Sequence, residues 1–287
     1  ASTIGITYCE PDQLIELWKW TDANNRQFDI HAPAVFDQKY LAARRGWEGG
    51  SFEWLDHVGI LGPNLIAAHA QNLRPGEEKL IHDRGAAVAL VPDMEQVLGL
   101  VSFDAKQFLE SDVNCGLGLD GPVVAYGHDI WAAMRGFLTA QRMGDEYRRR
   151  TSDTNSQWTG EEVLYGSAEQ ALELATIGGA KALMMDDQIG SLELGKSADA
   201  LLIDRRSETH LSPAGTLIAN LVYGNGPSRE SIRRVMVGGK TIAENGKHVD
   251  IDHRSVVENS DQLQQTLLDE VDARQFINKR SRYKWIN

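Results

Sequence analysis

His31, His69 and Asp120 are the residues with which this chain can assemble a metal site. Each closes a short apolar run: Phe28-Asp29-Ile30 precedes His31, Asn64 to Ala68 precedes His69, and Val113 to Leu119 precedes Asp120. A single His at a strand end is commonly a hydrogen-bonded structural residue, and an Asp before Gly121-Pro122 is commonly a turn former. Two imidazoles and a carboxylate delivered in order by separate strands of one sheet form a donor set suited to a divalent cation of the zinc or iron type. The chemistry such a set supports is activation of water for attack on an electrophilic carbon.

The elements that must position these groups alternate between short apolar runs and longer helical patterns up to about residue 186, the signature of β/α units around a parallel sheet. In such sheets the reacting groups sit at the C-terminal ends of strands. Asp12 caps a helix after Pro11, and Leu14, Ile15, Leu17 and Trp18 recur at helical spacing before Asn24-Asn25 stops it. A helix around Pro75 to Arg84 leads into a strand at Ala86 to Val91. After the Val113–Leu119 strand come a helix containing Trp131, Met134, Phe137 and Leu138, a polar loop rich in Arg, Ser, Thr and Asn, and a helix from about Ala168 to Met184. From Ile189 the pattern changes to Gly-punctuated alternating segments at Ala200–Asp204, Ile232–Val237 and Thr241–Ala243, read as strands of a small sheet with a hairpin turn at Gly238-Gly239. The residues from 251 to 287 form a polar extension expected to be helical in part.

With 287 residues and 42% hydrophobic composition the chain can bury one large core with an appendage. A net charge of −12 with scattered basic residues argues against nucleic-acid binding and for small, weakly charged substrates. No run reaches the ~20 apolar residues of a membrane helix. Two cysteines, Cys9 and Cys115, make no disulfide framework and fit a reducing cytoplasm.

The stretch Leu174-Ala175-Thr176-Ile177-Gly178-Gly179-Ala180-Lys181-Ala182-Leu183, followed by Ile189-Gly190-Ser191-Leu192-Glu193-Leu194-Gly195-Lys196-Ser197-Ala198-Asp199, closely resembles the C-terminal signature of the amidohydrolase superfamily, in the branch of cytosine and guanine deaminases and atrazine chlorohydrolase. Val235-Met236-Val237-Gly238-Gly239-Lys240 resembles a strand of that family's small β-sandwich. Leu117-Gly118-Leu119-Asp120-Gly121 is similar to its strand-eight motif, whose Asp binds the metal and moves protons. Ile66-Ala67-Ala68-His69 and Phe28-Asp29-Ile30-His31 resemble the ends of strands six and five. The resemblance therefore implies an α/β fold: the second half of a (β/α)8 TIM-type barrel (residues 1–188, strands four to eight), part of a small β-sandwich (189–250) and the polar extension (251–287). It implies His31, His69 and Asp120 as metal ligands, Asp120 also as the catalytic proton acceptor, and a divalent metal, zinc first and iron as the alternative.

Three departures qualify that implication. Family members carry a His-x-His pair on strand one, and no His-x-His occurs in this chain. Strands four to eight cannot close alone. The expectation is a hetero-oligomer with a second polypeptide bearing the N-terminal half of the barrel, whether separately encoded or released by cleavage. Second, the family's deaminases place a Glu three residues after the strand-five His, whereas His31 is followed by Ala32-Pro33-Ala34. Third, the His expected after strand seven falls near Val91-Pro92-Asp93, where Asp93 is the ionisable group. Both losses weigh against deamination in particular, because the ring must be protonated and ammonia assisted out.

The functional expectation is a metal-dependent hydrolase acting on a C–N bond of an amide, cyclic amide or amino-heterocycle. Gln71, Asp93 and His128 are the candidates for contacting substrate or assisting the leaving group. The alternatives are a catalytically degraded barrel subunit with a structural or regulatory role, or a metal-dependent non-hydrolytic enzyme such as a decarboxylase. His57 and His82 are read as solvated, Cys9 as a buried thiol, and Trp47 and Trp54 around Gly49-Gly50 as packing, a lid or an interface.

Overall fold

The computed structural model describes residues 2–3, 5–6, 8–32, 37–100, 105–122, 127–151, 166–224 and 226–271. Pro33 and Ala34, most of the Arg/Ser/Thr-rich loop and the end of the C-terminal extension lie outside them.

Five strands, β1 (Ser2–Thr3), β2 (Phe28–His31), β3 (Leu65–Ala68), β4 (Ala87–Leu90) and β5 (Asn114–Leu117), form one parallel sheet in sequential order. Side chains alternate across it, as the period of an extended chain requires. Phe28, Ile30, Leu65, Ala67, Val88, Leu90 and Cys115 point into one apolar core shared with Leu14, Ile81, Phe108, Phe137 and Leu138 of the covering helices. The opposite face carries Asp29, His31, Ile66, Ala68, Ala89 and Gly118, which line an open cleft.

The helices between the strands are α1 (Pro11–Ala23), α2 (Asp37–Arg45), α3 (Ser51–His57), α4 (Glu77–Arg84), α5 (Pro92–Val97), α6 (Ala105–Glu110) and α7 (Ile130–Thr151). Pro11 supplies the fixed φ of a first helical position, and the Glu10 amide donates to Gln13 Oε1 at 3.0 Å. The long β2–β3 connection is stapled by Glu77, whose buried carboxylate accepts from the amides of Phe52 (2.7 Å), Glu53 (3.2 Å) and Arg74 (2.7 Å). Trp54 is buried, while Trp47 donates to the Gly50 carbonyl at 3.0 Å and stacks on His57. Both tryptophans thus serve packing within that connection.

The helix expected from about 168 to 184 is three pieces: α8 (Ala168–Glu173), a π-helical turn (Leu174–Gly178) and α9 (Gly179–Ala182). Here helix and sheet meet at backbone distance. A Cβ on Gly178 would lie 2.7 Å from the Cys115 carbonyl oxygen, and one on Gly116 would lie 2.7 Å from Gly179 Cα. Ala182 packs with Ile66, Ala87 and Ala89 over the lower part of the cleft face. The helix stops two residues earlier than expected because Met184 turns left-handed (φ 51°) and the Met185 amide bonds back to the Ala180 carbonyl at 2.9 Å.

Beyond it, β6 (Ala200–Ile203), β7 (Ile232–Val237), β8 (Lys240–Glu244) and β9 (Lys247–His248) form an antiparallel sheet, with α10 (Leu217–Tyr223) between β6 and β7. Gly238 and Gly239 both have positive φ (57° and 77°), as a two-residue hairpin turn demands. The Asn245-Gly246 turn (φ 48° and 73°) adds β9, a strand the periodicity reading omitted. Helix α11 (His253–Glu270) bears out the helical expectation for the extension, and none of its described residues is buried. Among the described residues no helix is long and apolar enough to cross a membrane.

Candidate metal centre

The parallel register sets His31 opposite Ala68, one residue before His69, so the two imidazoles leave neighbouring strands at the same level. Their ring centroids are 4.9 Å apart. Asp120 arrives from the other side of β4, three residues beyond the end of β5 rather than at the strand terminus, because the ladder continues only as far as Gly118, whose amide donates to the Leu90 carbonyl at 2.7 Å. His69 Nε2 lies 3.8 Å from Asp120 Oδ2. One ligand atom from each of His31, His69 and Asp120 falls within 4.8 Å of the others.

The backbone is bent to achieve this. His69 (φ 74°), Ala70 (φ 50°) and Asp120 (φ 56°) all occupy the left-handed region, which costs of order 1–3 kcal/mol per non-glycine residue and persists where the surroundings enforce it. The His69 amide is held by the Ala89 carbonyl at 2.9 Å. The Asp120 carbonyl meets His128 Nε2 at 2.9 Å, and Asp120 Oδ1 accepts from the Gly121 amide. That leaves Oδ2 turned towards His69. The His69 side chain is 8% exposed and that of Asp120 23%, so any ion held here would be reached from the cleft and shielded from behind.

The cleft has a volume of about 620 Å³, and Gln27 and Asp29 line its lower part. The small side chains Ala68, Ala89 and Gly118 create that room. Two imidazole nitrogens and one carboxylate oxygen converging at these distances fit a divalent cation of the zinc class. A closed coordination shell needs further donors.

The three residues expected to contact substrate are not brought together. Gln71 is buried beyond the His69 bend. Asp93 sits at the start of α5, where burial and then the neighbouring Asp129 charge raise its pKa. His128 is exposed and engages the Asp120 backbone. None of the three is among the described residues lining the cleft. The side chain that sequence reasoning passed over is Glu95: it is 0% exposed, and its Oε1 lies 3.4 Å from His69 Nδ1. A signal for it existed, since Pro92 marks a helix start and places Glu95 one turn along, beside the end of β4.

A parallel β/α sheet that gathers histidines and a carboxylate at the C-terminal ends of its strands defines a TIM-barrel-type α/β domain built for site chemistry at that rim. The family profile of the amidohydrolases matches residues 4–242, and the chain belongs to that family. Among curated proteins it is 27% identical over 237 residues to a 5'-deoxyadenosine deaminase of Methanosarcina mazei, covering 83% of this chain and 50% of that one. It is 30% identical over 202 residues to a 5-methylthioadenosine/S-adenosylhomocysteine deaminase of Moorella thermoacetica, covering 70% of this chain and 43% of the relative. Among solved structures, a zinc-bound adenosine deaminase from Xanthomonas campestris superposes with a TM-score of 0.79 at 23% identity, over 92% of this chain and 56% of that one. The zinc complex of an atrazine chlorohydrolase from Arthrobacter aurescens gives a TM-score of 0.73 at 21% identity, over 91% and 54%. At these identities the structural likeness shows the fold alone. The chain spans about half the length of the relatives it matches.

Proposed function

We propose that this chain is the second half of an amidohydrolase barrel with part of a small β-sandwich, and that it supplies His31, His69 and Asp120 to a divalent metal centre, zinc in the first instance, that hydrolyses a C–N bond in an amino-heterocycle of the purine-nucleoside kind. The convergence of those three side chains within 4.8 Å, in a chain of this family, carries the reading. The deaminase relatives direct it to exocyclic amines.

When bound, the cation would lower the pKa of a water molecule towards neutrality and so supply a nucleophile for the carbon that bears the amine. Asp120, with Oδ1 engaged by the Gly121 amide and Oδ2 facing the cleft, takes the proton from the attacking water and returns it to the departing nitrogen. His31 and His69 present nitrogens to the cation from the adjacent strand ends. Ile66, Ala68, Ala89 and Val91 give the cleft an apolar wall against which a flat heterocycle can lie. With Ala34 where the resemblance expects a glutamate, the ring proton has to come from another donor.

Among the described residues the parallel sheet has no strand beyond β1 or β5, and its cleft face is open above Ala182. A complementary half-barrel carrying the remaining strands and ligands would close both, and the expected hetero-oligomer is its form if that half is a second polypeptide. A water-filled cytosolic setting suits such an enzyme. The test is ammonia release from 5'-deoxyadenosine and 5-methylthioadenosine by the intact, zinc-loaded protein. Release that His31→Ala abolishes supports the reading. Bound zinc with no hydrolysis of any amino-heterocycle points to the degraded-subunit alternative that Ala34 favours.

A further inference from the structure

Glu95 has no part in the ligand set above, yet it is a completely buried carboxylate. Taking an ionised carboxylate out of water costs several kcal/mol unless a partner compensates, so fully buried glutamates are rare and positioned. Its Oε1 lies 3.4 Å from His69 Nδ1, on the side of the ring away from Asp120, while Nε2 faces Asp120 Oδ2 at 3.8 Å. The imidazole is therefore bracketed by carboxylates, one behind it and one in the cleft.

We infer that Glu95 is a positioning residue that holds the His69 proton on Nδ1 and so keeps the Nε2 lone pair directed into the cleft. A neutral imidazole donates from one nitrogen and accepts at the other, and the group at its back decides which is which. Ligating histidines are commonly fixed this way, by a carboxylate that sets tautomer and ring orientation. The left-handed backbone at His69 sharpens the need, because the residue sits just beyond the end of β3, where the backbone bends and the His31 ring is its neighbour on the cleft side.

Glu95 is itself well placed to act as a fixed point. Its amide donates to the Val91 carbonyl at 3.2 Å and its carbonyl accepts from the Leu100 amide at 2.9 Å. One residue further, Gln96 Nε2 donates to the Gly136 carbonyl at 2.9 Å and to the Pro92 carbonyl at 3.0 Å, pinning α5 to α7. A Cβ at Gly136 would stand 3.1 Å from Gln96 Nε2, so the two helices approach closely. The backbone that carries the carboxylate is thereby fixed relative to α7.

The inference rests on the metal-centre reading, and the experiment separates the two. In the intact protein, Glu95→Ala and the near-isosteric Glu95→Leu, which has no acceptor, are compared with wild type for zinc affinity by chelator competition, and for the His69 tautomer by nitrogen-15 NMR of the metal-free form. The expected result is a Nδ1–H tautomer in wild type, a rise in the Nε2–H form in both variants, and zinc affinity lower by about 10–100-fold. Glu95→Gln, whose side-chain oxygen still accepts, should recover part of that loss, which a purely structural role would not. If Glu95→Ala fails to fold, Glu95→Leu decides. Failure of wild type to bind zinc would overturn the metal-centre reading and leave the tautomer measurement to judge Glu95. An unchanged tautomer in Glu95→Leu would overturn the inference itself.

Discussion

His128 Nε2 meets the main-chain carbonyl oxygen of Asp120 at 2.9 Å, tying the loop after β5 to the segment that opens α7. Asp120 holds a left-handed φ, and such a residue keeps its geometry only while its neighbours enforce it. His128 thus bears on the cleft through the backbone of a candidate ligand.

Replacing His128 with Ala should loosen that carbonyl. The loss of one hydrogen bond, about 0.5–1.5 kcal/mol, predicts a fall in kcat/KM of roughly 3–10-fold with little change in Tm, since the side chain is exposed. Steady-state kinetics beside a thermal melt check it. A drop in Tm with kcat/KM intact would assign His128 to stability alone.

Gly116 and Gly179 bring β5 and α9 to backbone contact. Gly116→Ala places a Cβ 2.7 Å from Gly179 Cα, where only the backbone can give way. Overpacking of this kind costs about 1–3 kcal/mol. Gly215→Ala, with no described residue within 4 Å of the added methyl, is the control and should be neutral in the same denaturant titration.

Glu77 makes stability depend on pH. Burial raises its carboxyl pKa above the ordinary 4.5, and the three amides it accepts from pull the other way without prevailing. The folded state therefore holds the proton more tightly than the unfolded chain. Its contribution is fully present below the unfolded pKa and is lost as pH rises from about 4.5 through the raised folded value. Thermal melts across that window should show a decline in wild type that Glu77→Gln flattens. Glu77→Ala, which strands three amides, should cost about 3 kcal/mol below pH 4.5 and less as the pH rises through the window. A steeper decline in Glu77→Gln than in wild type would contradict the sign.

Much of this fold could be read from the chain because its elements obey short-range rules. Strands β2 to β5 and β6 to β8 are apolar or alternating runs with clear stops, and the three candidate ligands stand at or just beyond the ends of three of them. What escaped reading depended on tertiary contact. The π-helical turn answers the close approach of Gly178 to Cys115, which no periodicity records. Glu95 matters only because α5 folds back beside His69, twenty-six residues earlier in the chain. Gln71, Asp93 and His128 follow strand ends in the sequence, and none of them is among the described residues lining the cleft.

The most direct test of the account is the metal content of the intact protein with and without His31. Elemental analysis after purification in metal-supplemented buffer should find a stoichiometric divalent ion in wild type and a loss of at least about 10-fold in zinc affinity in His31→Ala, with the melt otherwise preserved. Equal metal content and affinity in the two proteins would show that the cluster of His31, His69 and Asp120 does not hold the ion, and the account would fail at its centre.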